Sequence, residues 1–188
     1  DDFIEIDNFN QELSFTTMLW FKFNSFPESG SRAIIQHKNN CVRGGGYILG
    51  VNENNLRWAI NNCGECSGGA CSTEFNFTDI ATLEEHKWYH IALTSDGISN
   101  QILYLNGEEV ASVNSELAIV SYGNQPLSIG KWHDQQNEWY TNGDFTHLKY
   151  WNYQLLESDI LLNMDLGYVV DNLGLIANYT FETGEGNM

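Results

Sequence analysis

The chain contains 188 residues, with 25 acidic and 8 basic side chains and a formal net charge of −17. Phosphate groups are neutralised by Lys and Arg, so this balance argues against nucleic acid and anionic membrane surfaces as partners. No apolar run approaches the roughly 20 residues that a membrane-spanning helix needs, which argues against membrane insertion. The length suits one domain, and residues 1–188 are expected to form it.

Short alternating runs rich in aromatic residues predict β-strands along most of the chain. The predicted strands cover residues 15–23, 32–37, 47–51, 56–61, 88–95, 102–106, 108–113, 126–130, 144–152 and 175–181. Asn106-Gly107 is typical of a type I′ hairpin turn, because both central residues of that turn need positive φ. One short helix is predicted near 158–164, with Ser158 as its N-cap. This pattern indicates an all-β sandwich.

Aromatic side chains within these runs supply the expected core. In the run 88–95, Tyr89, Ile91 and Leu93 face one way because successive strand residues alternate. The four tryptophans that fall in predicted strands are expected to be buried: Trp20, Trp58, Trp88 and Trp151.

Four cysteines, three of them within eleven residues, allow a zinc site, a redox pair or two disulfides. They are Cys41, Cys63, Cys66 and Cys71. A hairpin turning at Glu53-Asn54 would bring Cys41 within reach of the segment 63–71. Zinc sites usually pair two short knuckles and redox C-x-x-C motifs need a βαβ unit, so two disulfides are favoured while zinc and free thiols remain alternatives.

The preferred pairing is Cys41–Cys63 with Cys66–Cys71, since the second pair closes a small loop easily. Persistent disulfides indicate an oxidising, extracellular setting. Glycosylation sequons at Asn76 and Asn178 are weak support for that setting, and the second falls in a predicted core strand.

Glu5-Ile6-Asp7 resembles the start of the strand that carries the catalytic carboxylates of laminarinase-type glucanases. Retaining hydrolysis needs two carboxyl groups about 5 Å apart. The position of the motif's second Glu is Phe9 or Asn10 here, and the next acid, Glu12, is too far along the strand. We therefore expect no enzymatic activity.

Three stretches follow one another in a distinctive order. They are residues 2–6 with 15–22, residues 87–97 with 103–110 (KWYHIALTSDG and LYLNGEEV), and residues 127–130 with 143–160. Their order resembles the laminin-G and pentraxin group of the concanavalin A-like sandwiches. The resemblance implies a jelly-roll sandwich of two antiparallel sheets, excised from a larger extracellular or cell-surface protein with other domains. Members mostly bind glycans, proteins or lipid headgroups, often through calcium at one rim.

The resemblance also implies where calcium would bind. In pentraxins two loops supply the ligands, and the matching positions here are Asn39-Asn40 and the loop 131–138, with Asp134 and Glu138. One Asp of the pentraxin pattern is Asn in this chain and the second loop is shorter. Calcium favours six to eight oxygen ligands and binds more tightly as their charge increases, so the implied site is weak.

The loop that begins at residue 131 and the residues just after it are rich in aromatic side chains. Trp132, His133, Trp139 and Tyr140 lie within nine residues and show no strand alternation. Aromatic faces pack on apolar surfaces while their N–H and O–H groups hydrogen-bond at the edge, which suits sugar recognition. At least one of these rings is expected to fold back onto the sandwich.

Asn39, Asn40, Arg43 and Asp134 complete the expected binding residues, although Arg43 is more simply explained by pairing with a neighbouring acid. The sequence thus predicts a non-catalytic module that binds a glycan or a cell-surface glycoprotein. The alternative is a protein–protein adhesion or spacer domain without a sugar site.

Overall fold

The computed structural model describes residues 3–7, 9, 12–38, 46–62, 73–119, 125–133, 138–165 and 173–181. In chain order the strands are β1 (Ile4–Ile6), β2 (Ser14–Phe23), β3 (Ser31–Lys38), β4 (Gly46–Asn52), β5 (Asn55–Asn62), β6 (Thr73–Phe77), β7 (Tyr89–Asp96), β8 (Asn100–Leu105), β9 (Glu108–Asn114), β10 (Leu127–Ile129), β11 (Lys131–His133), β12 (Glu138–Tyr140), β13 (Gly143–Trp151) and β14 (Leu175–Tyr179). A 3₁₀ turn (Glu116–Ala118) precedes β10, and a helix, α1 (Glu157–Asn163), follows β13.

Two six-stranded antiparallel sheets make up the sandwich. Sheet I has the order β1-β10-β3-β4-β5-β6, and sheet II has the order β14-β13-β2-β7-β8-β9. Among the described strands, β11 and β12 pair with each other and with no other strand. The predicted all-β sandwich with one short helix is therefore confirmed, while the strand ranges predicted from the sequence do not include β1, β6, β11 or β12.

The core lies between the inner faces of the two sheets. Tyr89, Ile91 and Leu93 all enter it, as their alternation predicts. Aromatic rings link the sheets directly, because Phe15 of β2 stacks on Tyr47 of β4 with ring centroids 6.0 Å apart. The buried rings thus hold sheet I and sheet II in register with each other.

Two predicted turns occur where expected. Asn106 and Gly107 have φ values of 53° and 84°, as a type I′ turn requires. The Asn106 side chain accepts a 2.9 Å hydrogen bond from the His90 backbone N–H, which ties this turn to β7. The hairpin of β4 and β5 turns at Glu53-Asn54, with Asn52 opposite Asn55.

The cysteines lie outside the described residues. At the open end of the β4–β5 hairpin, Gly46 pairs with Asn61. Cys41 precedes the described start of β4 in the sequence, and Cys63 follows the end of β5. The disulfide pairs Cys41–Cys63 and Cys66–Cys71 accordingly stay predictions.

Helix α1 covers the outer face of sheet II. Ile160 is fully buried there in a second apolar cluster that includes Met18, Tyr104 and Trp151. The predicted N-cap is wrong: Leu156 occupies that position and makes no side-chain cap bond, so Ser158 lies within the first turn. Burial of Ile160 anchors this short helix in place of a cap.

The end of α1 is held by side chains from sheet II. Lys149 Nζ donates to the Asn163 carbonyl oxygen at 2.9 Å, and Trp20 Nε1 donates to the Met164 carbonyl oxygen at 3.2 Å. These bonds satisfy carbonyls that a helix end leaves without partners. Burial, together with the nearby Lys149 charge, lowers the pKa of His90 to about 3. The imidazole beneath the helix is therefore neutral at neutral pH.

The prediction that the four strand tryptophans are buried is confirmed for two of them. Trp58 and Trp151 are fully buried. Trp20 is half-buried beneath the helix end. Trp88 is 41% exposed, with Lys22 Nζ 5.2 Å from its ring, so its predicted burial is wrong. Strand β7 begins one residue later, at Tyr89, so Trp88 lies just before the strand whose residues are buried.

Both sequon asparagines are exposed. Asn76 lies in β6, and Asn178 lies in β14, which is an edge strand of sheet II. The prediction that Asn178 falls in a core strand is therefore wrong.

In the part of the chain that the structure describes, every helix falls short of the length and hydropathy that a bilayer crossing requires.

Helix docking gives a direct stability prediction. Ile160→Ala should lower the free energy of unfolding by about 2–5 kcal/mol, because it opens a cavity at a fully buried position. Leu162→Ala, in the same helix but 50% exposed, should change it by less than about 0.5 kcal/mol. Urea denaturation of both variants measures the difference, and equal losses would contradict the docking of α1 through Ile160.

Candidate functional site

Strands β11 and β12, called the aromatic ribbon below, form a two-stranded antiparallel pair where the sequence predicted an irregular loop. Trp132 lies opposite Trp139 in this pair. The ribbon is attached to β3, because Gly130 N–H donates to the Ile34 carbonyl oxygen at 3.1 Å. Just after the ribbon, Thr141 Oγ1 donates to the Ala33 carbonyl oxygen at 2.7 Å. The base of the ribbon, where both of its strands join the rest of the chain, is therefore fixed to sheet I.

One face of the ribbon carries both tryptophans. Their rings meet edge to face, with centroids 6.2 Å apart and an interplanar angle of 88°. The Arg57 guanidinium carbon lies 5.3 Å from the centre of the Trp132 ring. Arg57 points away from the core, because its neighbours Leu56 and Trp58 are both fully buried. This face of the ribbon thus covers part of the outer face of sheet I.

Neutral oxygens hold Arg57 in position. Its guanidinium donates to Ser31 Oγ at 2.8 Å and to Asn76 Oδ1 at 3.2 Å. We call the group formed by Arg57, Asn76, Trp132 and Trp139 the tryptophan platform. Both indole rings are half-buried, and neither indole N–H donates to another described residue. The platform combines apolar ring surface with hydrogen-bonding groups at its edge.

The opposite face of the ribbon is polar and charged. Lys131 and Glu138 form an ion pair at 2.9 Å, and the Tyr140 hydroxyl donates to Glu138 Oε2 at 2.6 Å. Lys131 Nζ also lies 4.2 Å from the centre of the Phe3 ring, and the Phe3 and Tyr140 rings are 5.8 Å apart. The hydrogen bond to Glu138 raises the pKa of Tyr140, since it stabilises the neutral phenol.

The binding residues predicted from the sequence lie on different faces of the ribbon. Trp132 and Trp139 share the platform, whereas Tyr140 and Glu138 lie on the other face of the ribbon. The backbone of His133 pairs with Glu138. Four expected residues fall outside the described part of the chain: Asn39, Asn40, Arg43 and Asp134. Among the residues that the structure describes, no group of three or more His, Cys, Asp or Glu side chains could hold a metal ion.

The sequence patterns did not identify Arg57 and Asn76 as candidate binding residues. The alternation of strand 56–61 does place Arg57 on the outer face, and it is the only charged residue in that run. Its contact with Trp132 joins segments far apart in the chain, so no local pattern reveals it. Half of the platform could therefore be found only once the sheets were assembled.

Glu5 and Asp7 do not share one face of a strand, as the carboxyl groups of the glucanase motif do. Glu5 points to the outer face of sheet I and accepts a 3.3 Å hydrogen bond from Ser128 Oγ. Asp7 follows the end of β1 and lines a cleft at the edge of the sandwich, together with Glu12. The strand-based motif therefore breaks after Ile6, where the chain turns.

The ribbon geometry predicts a specific change in tyrosine ionisation. Glu138→Gln should lower the pKa of Tyr140 toward its ordinary value, because a neutral amide stabilises the neutral phenol less than a carboxylate does. NMR of ¹³C-labelled tyrosine between pH 8 and 12 measures this shift. Glu28→Gln, at an exposed site away from the ribbon, serves as the control. An unchanged Tyr140 titration in Glu138→Gln would contradict the hydrogen bond.

Known proteins share this architecture. The family model described as the Concanavalin A-like lectin/glucanases superfamily matches residues 1–161. Comparison with curated protein sequences finds no match. Among solved structures, a putative carbohydrate-binding protein from Bacteroides ovatus is similar, with a TM-score of 0.64, 16% identity, and coverage of 99% of this chain and 50% of that one.

Two further solved structures have the same fold. A heptameric SAP-like pentraxin from Limulus polyphemus has a TM-score of 0.60 and 12% identity, covering 85% of this chain and 74% of that one. The binding domain of botulinum neurotoxin DC in complex with SialylT has a TM-score of 0.57 and 17% identity, covering 79% of this chain and 34% of that one. The chain thus spans about a third of the neurotoxin chain and half of the bacterial one. At these identities the likeness shows the fold.

Proposed function

The chain belongs to the Concanavalin A-like lectin/glucanases superfamily, and on that premise we propose that it is a non-catalytic recognition module that binds a glycan through the tryptophan platform. One observation carries this proposal: Trp132 and Trp139 are fixed against Arg57 on the outer face of sheet I. The similar fold of a putative carbohydrate-binding protein supports it.

The platform suits a sugar for physical reasons. The C–H faces of a sugar ring pack on indole rings, whose N–H groups hydrogen-bond at the edge. Arg57 and Asn76 supply further polar groups beside Trp132 for the sugar hydroxyls. The contacts of Arg57 with Ser31 and Asn76 hold it in place before a ligand arrives, which reduces the ordering cost of binding.

Calcium is a secondary part of the proposal. Asn39, Asn40, Asp134 and Glu138 are the proposed ligands, on the strength of the pentraxin resemblance. Both carboxylate oxygens of Glu138 already contact other groups, Oε1 with Lys131 and Oε2 with Tyr140. Calcium would have to displace these contacts, so we expect weak affinity and glycan binding that does not require the metal.

The proposed setting is the extracellular space or a cell surface. Exposure of Asn178 leaves its sequon accessible to glycosylation, which is consistent with this setting. The proposed disulfides Cys41–Cys63 and Cys66–Cys71 would be stable in such a setting. Arg43 and His133 are proposed to extend the ligand surface, and other domains of a longer chain are proposed as neighbours.

A protein–protein adhesion or spacer role is the second candidate. Exposed leucines on and beside α1 favour it, because Leu156, Leu161 and Leu162 are 69%, 49% and 50% exposed. Apolar surface of this kind marks many protein contacts. In that case the platform would bind no sugar and a partner protein would cover the leucines.

Trp139→Ala tests the glycan proposal on a glycan array. Loss of a central aromatic anchor costs about 2 kcal/mol, which corresponds to a roughly 30-fold weaker affinity. Trp88→Ala is the matched control, because Trp88 is 41% exposed but lies outside the platform. We expect the unmodified protein and Trp88→Ala to bind the same glycans, with or without EDTA. Absence of any binding by folded protein, or equal binding by both variants, would contradict the proposal.

Thermal melting with added calcium and with EDTA tests the metal. A ligand that binds only the native state raises stability by RT ln(1 + [L]/Kd). We expect a small upward shift of the melting temperature with calcium, which Glu138→Gln reduces. Identical melting curves in calcium and EDTA would remove calcium from the account while leaving the glycan proposal intact.

The non-catalytic assignment is tested with a reducing-sugar assay on β-glucans. We expect no product above a heat-denatured control. Product that disappears in Asp7→Asn or Glu12→Gln would instead identify a hydrolase acting at the edge cleft.

A further inference from the structure

A cleft of about 380 Å³ opens at the edge of the sandwich, where β1 of sheet I approaches β13 and β14 of sheet II. Phe9 and Tyr150 form its floor, since they are 8% and 1% exposed and their rings are 4.8 Å apart. Ile6, Ile176 and Tyr179 add apolar wall. The volume falls within the range of small-molecule sites, about 300–1,000 Å³. None of the residues that line the cleft belongs to the tryptophan platform.

Two carboxylates supply the charge of this cleft. Asp7 and Glu12 are exposed side chains that line it, together with the amide of Asn152. Neither carboxylate forms an ion pair with a Lys or Arg among the described residues. No cationic side chain lines the cleft within the part of the chain that the structure describes. The two negative charges therefore lie beside apolar surface, and no described side chain supplies a compensating cation.

Tyr150 fixes one of these acids at the cleft and adds no charge. Its hydroxyl accepts a 3.0 Å hydrogen bond from the Glu12 backbone N–H. Burial raises the pKa of Tyr150 to about 12, so the phenol is neutral at physiological pH. Because the backbone of Glu12 makes this bond, its carboxylate can be changed without breaking it.

The combination selects one class of ligand. Anions are repelled by Asp7 and Glu12 and by the net charge of −17. A neutral polar molecule would gain no charge attraction from the two carboxylates. An alkyl chain would pack against the aromatic floor formed by Phe9 and Tyr150. We propose that the edge cleft binds a small organic cation with an apolar body, an alkylammonium of the kind that a lysine side chain or a free aliphatic amine provides. This site is separate from the proposed glycan surface and does not depend on it.

Isosteric probes test the proposal by NMR titration of ¹⁵N-labelled protein. Pentylammonium, pentanol and pentanoate share the same chain and differ in charge. We expect pentylammonium to shift resonances of the cleft residues and to bind at least tenfold more tightly than pentanol, with no binding of pentanoate. Added NaCl should weaken the cation's binding, because salt screens exposed charges.

Charge-neutral variants locate the site. Asp7→Asn combined with Glu12→Gln should weaken pentylammonium binding at least tenfold, while Glu28→Gln, at an exposed carboxylate outside the cleft, should leave it unchanged. Melting curves verify that each variant is folded. Equal affinity for pentylammonium and pentanol, no binding of the cation, or equal binding by both variants would overturn the proposal.

The source of the cation is resolved by two further probes. N-acetyl-lysine methylamide represents a lysine in a peptide, and cadaverine represents a free amine. Binding of either one, abolished by the double variant, supports the alkylammonium site and identifies its source. Failure of both to bind would overturn it, and neither result affects the glycan test.

Discussion

The structure depends on the burial of two inner sheet faces against each other through aromatic rings. Phe15 of sheet II stacks on Tyr47 of sheet I, and Tyr150 of sheet II lies 6.4 Å from Phe15 and 4.8 Å from Phe9. Each such ring buries roughly 150–250 Å² of surface, so these contacts contribute substantially to the apolar surface buried between the sheets. It also ends at the edge cleft, where Phe9 and Tyr150 form the floor.

Each sheet then has an outer face that is covered in a different way. On sheet II, helix α1 buries Ile160 in a small apolar cluster. On sheet I, the aromatic ribbon places Trp132 over Arg57. The first cover buries an apolar cluster beneath the helix. The aromatic ribbon leaves its two indole rings half-buried, with polar groups at their edge. Partly exposed rings of this kind suit ligand binding, whereas the buried cluster under α1 has a structural role.

The two proposed sites differ in the forces that they use. At the tryptophan platform, the one positive charge of Arg57 is held by the neutral oxygens of Ser31 and Asn76. Ring stacking and hydrogen bonds would dominate there, so binding should respond little to salt. At the edge cleft, Asp7 and Glu12 carry charge without a described counterion, and binding should weaken as salt increases.

Local alternation was sufficient to predict most of the sandwich. Tyr89, Ile91 and Leu93 show why, because side chains two residues apart must share a face. The turn at Asn106-Gly107 was predictable because its φ values demand those residue types. Alternation failed at Trp88, which lies just before its strand. The capping preference failed at Ser158, because burial of Ile160 anchors α1 and Leu156 occupies the N-cap.

The sites were less accessible to sequence reasoning. The strands of the aromatic ribbon have three residues each, too few for alternation to be recognised. The ribbon divides its rings between two faces, with Trp132 and Trp139 on one and Tyr140 on the other. Asp7 and Glu12 come together only because the chain turns after Ile6. Contacts between distant segments, such as Arg57 with Trp132, have no local signal at all.

The most direct measurement follows the tryptophan indole N–H resonances while a glycan identified on the array is titrated into ¹⁵N-labelled protein. We expect the Trp132 and Trp139 signals to shift with a common dissociation constant, whereas the signals of the buried Trp58 and Trp151 and of Trp88, which is outside the platform, stay in place. A glycan that binds while the Trp132 and Trp139 signals remain unchanged would contradict the assignment of the platform as the glycan site.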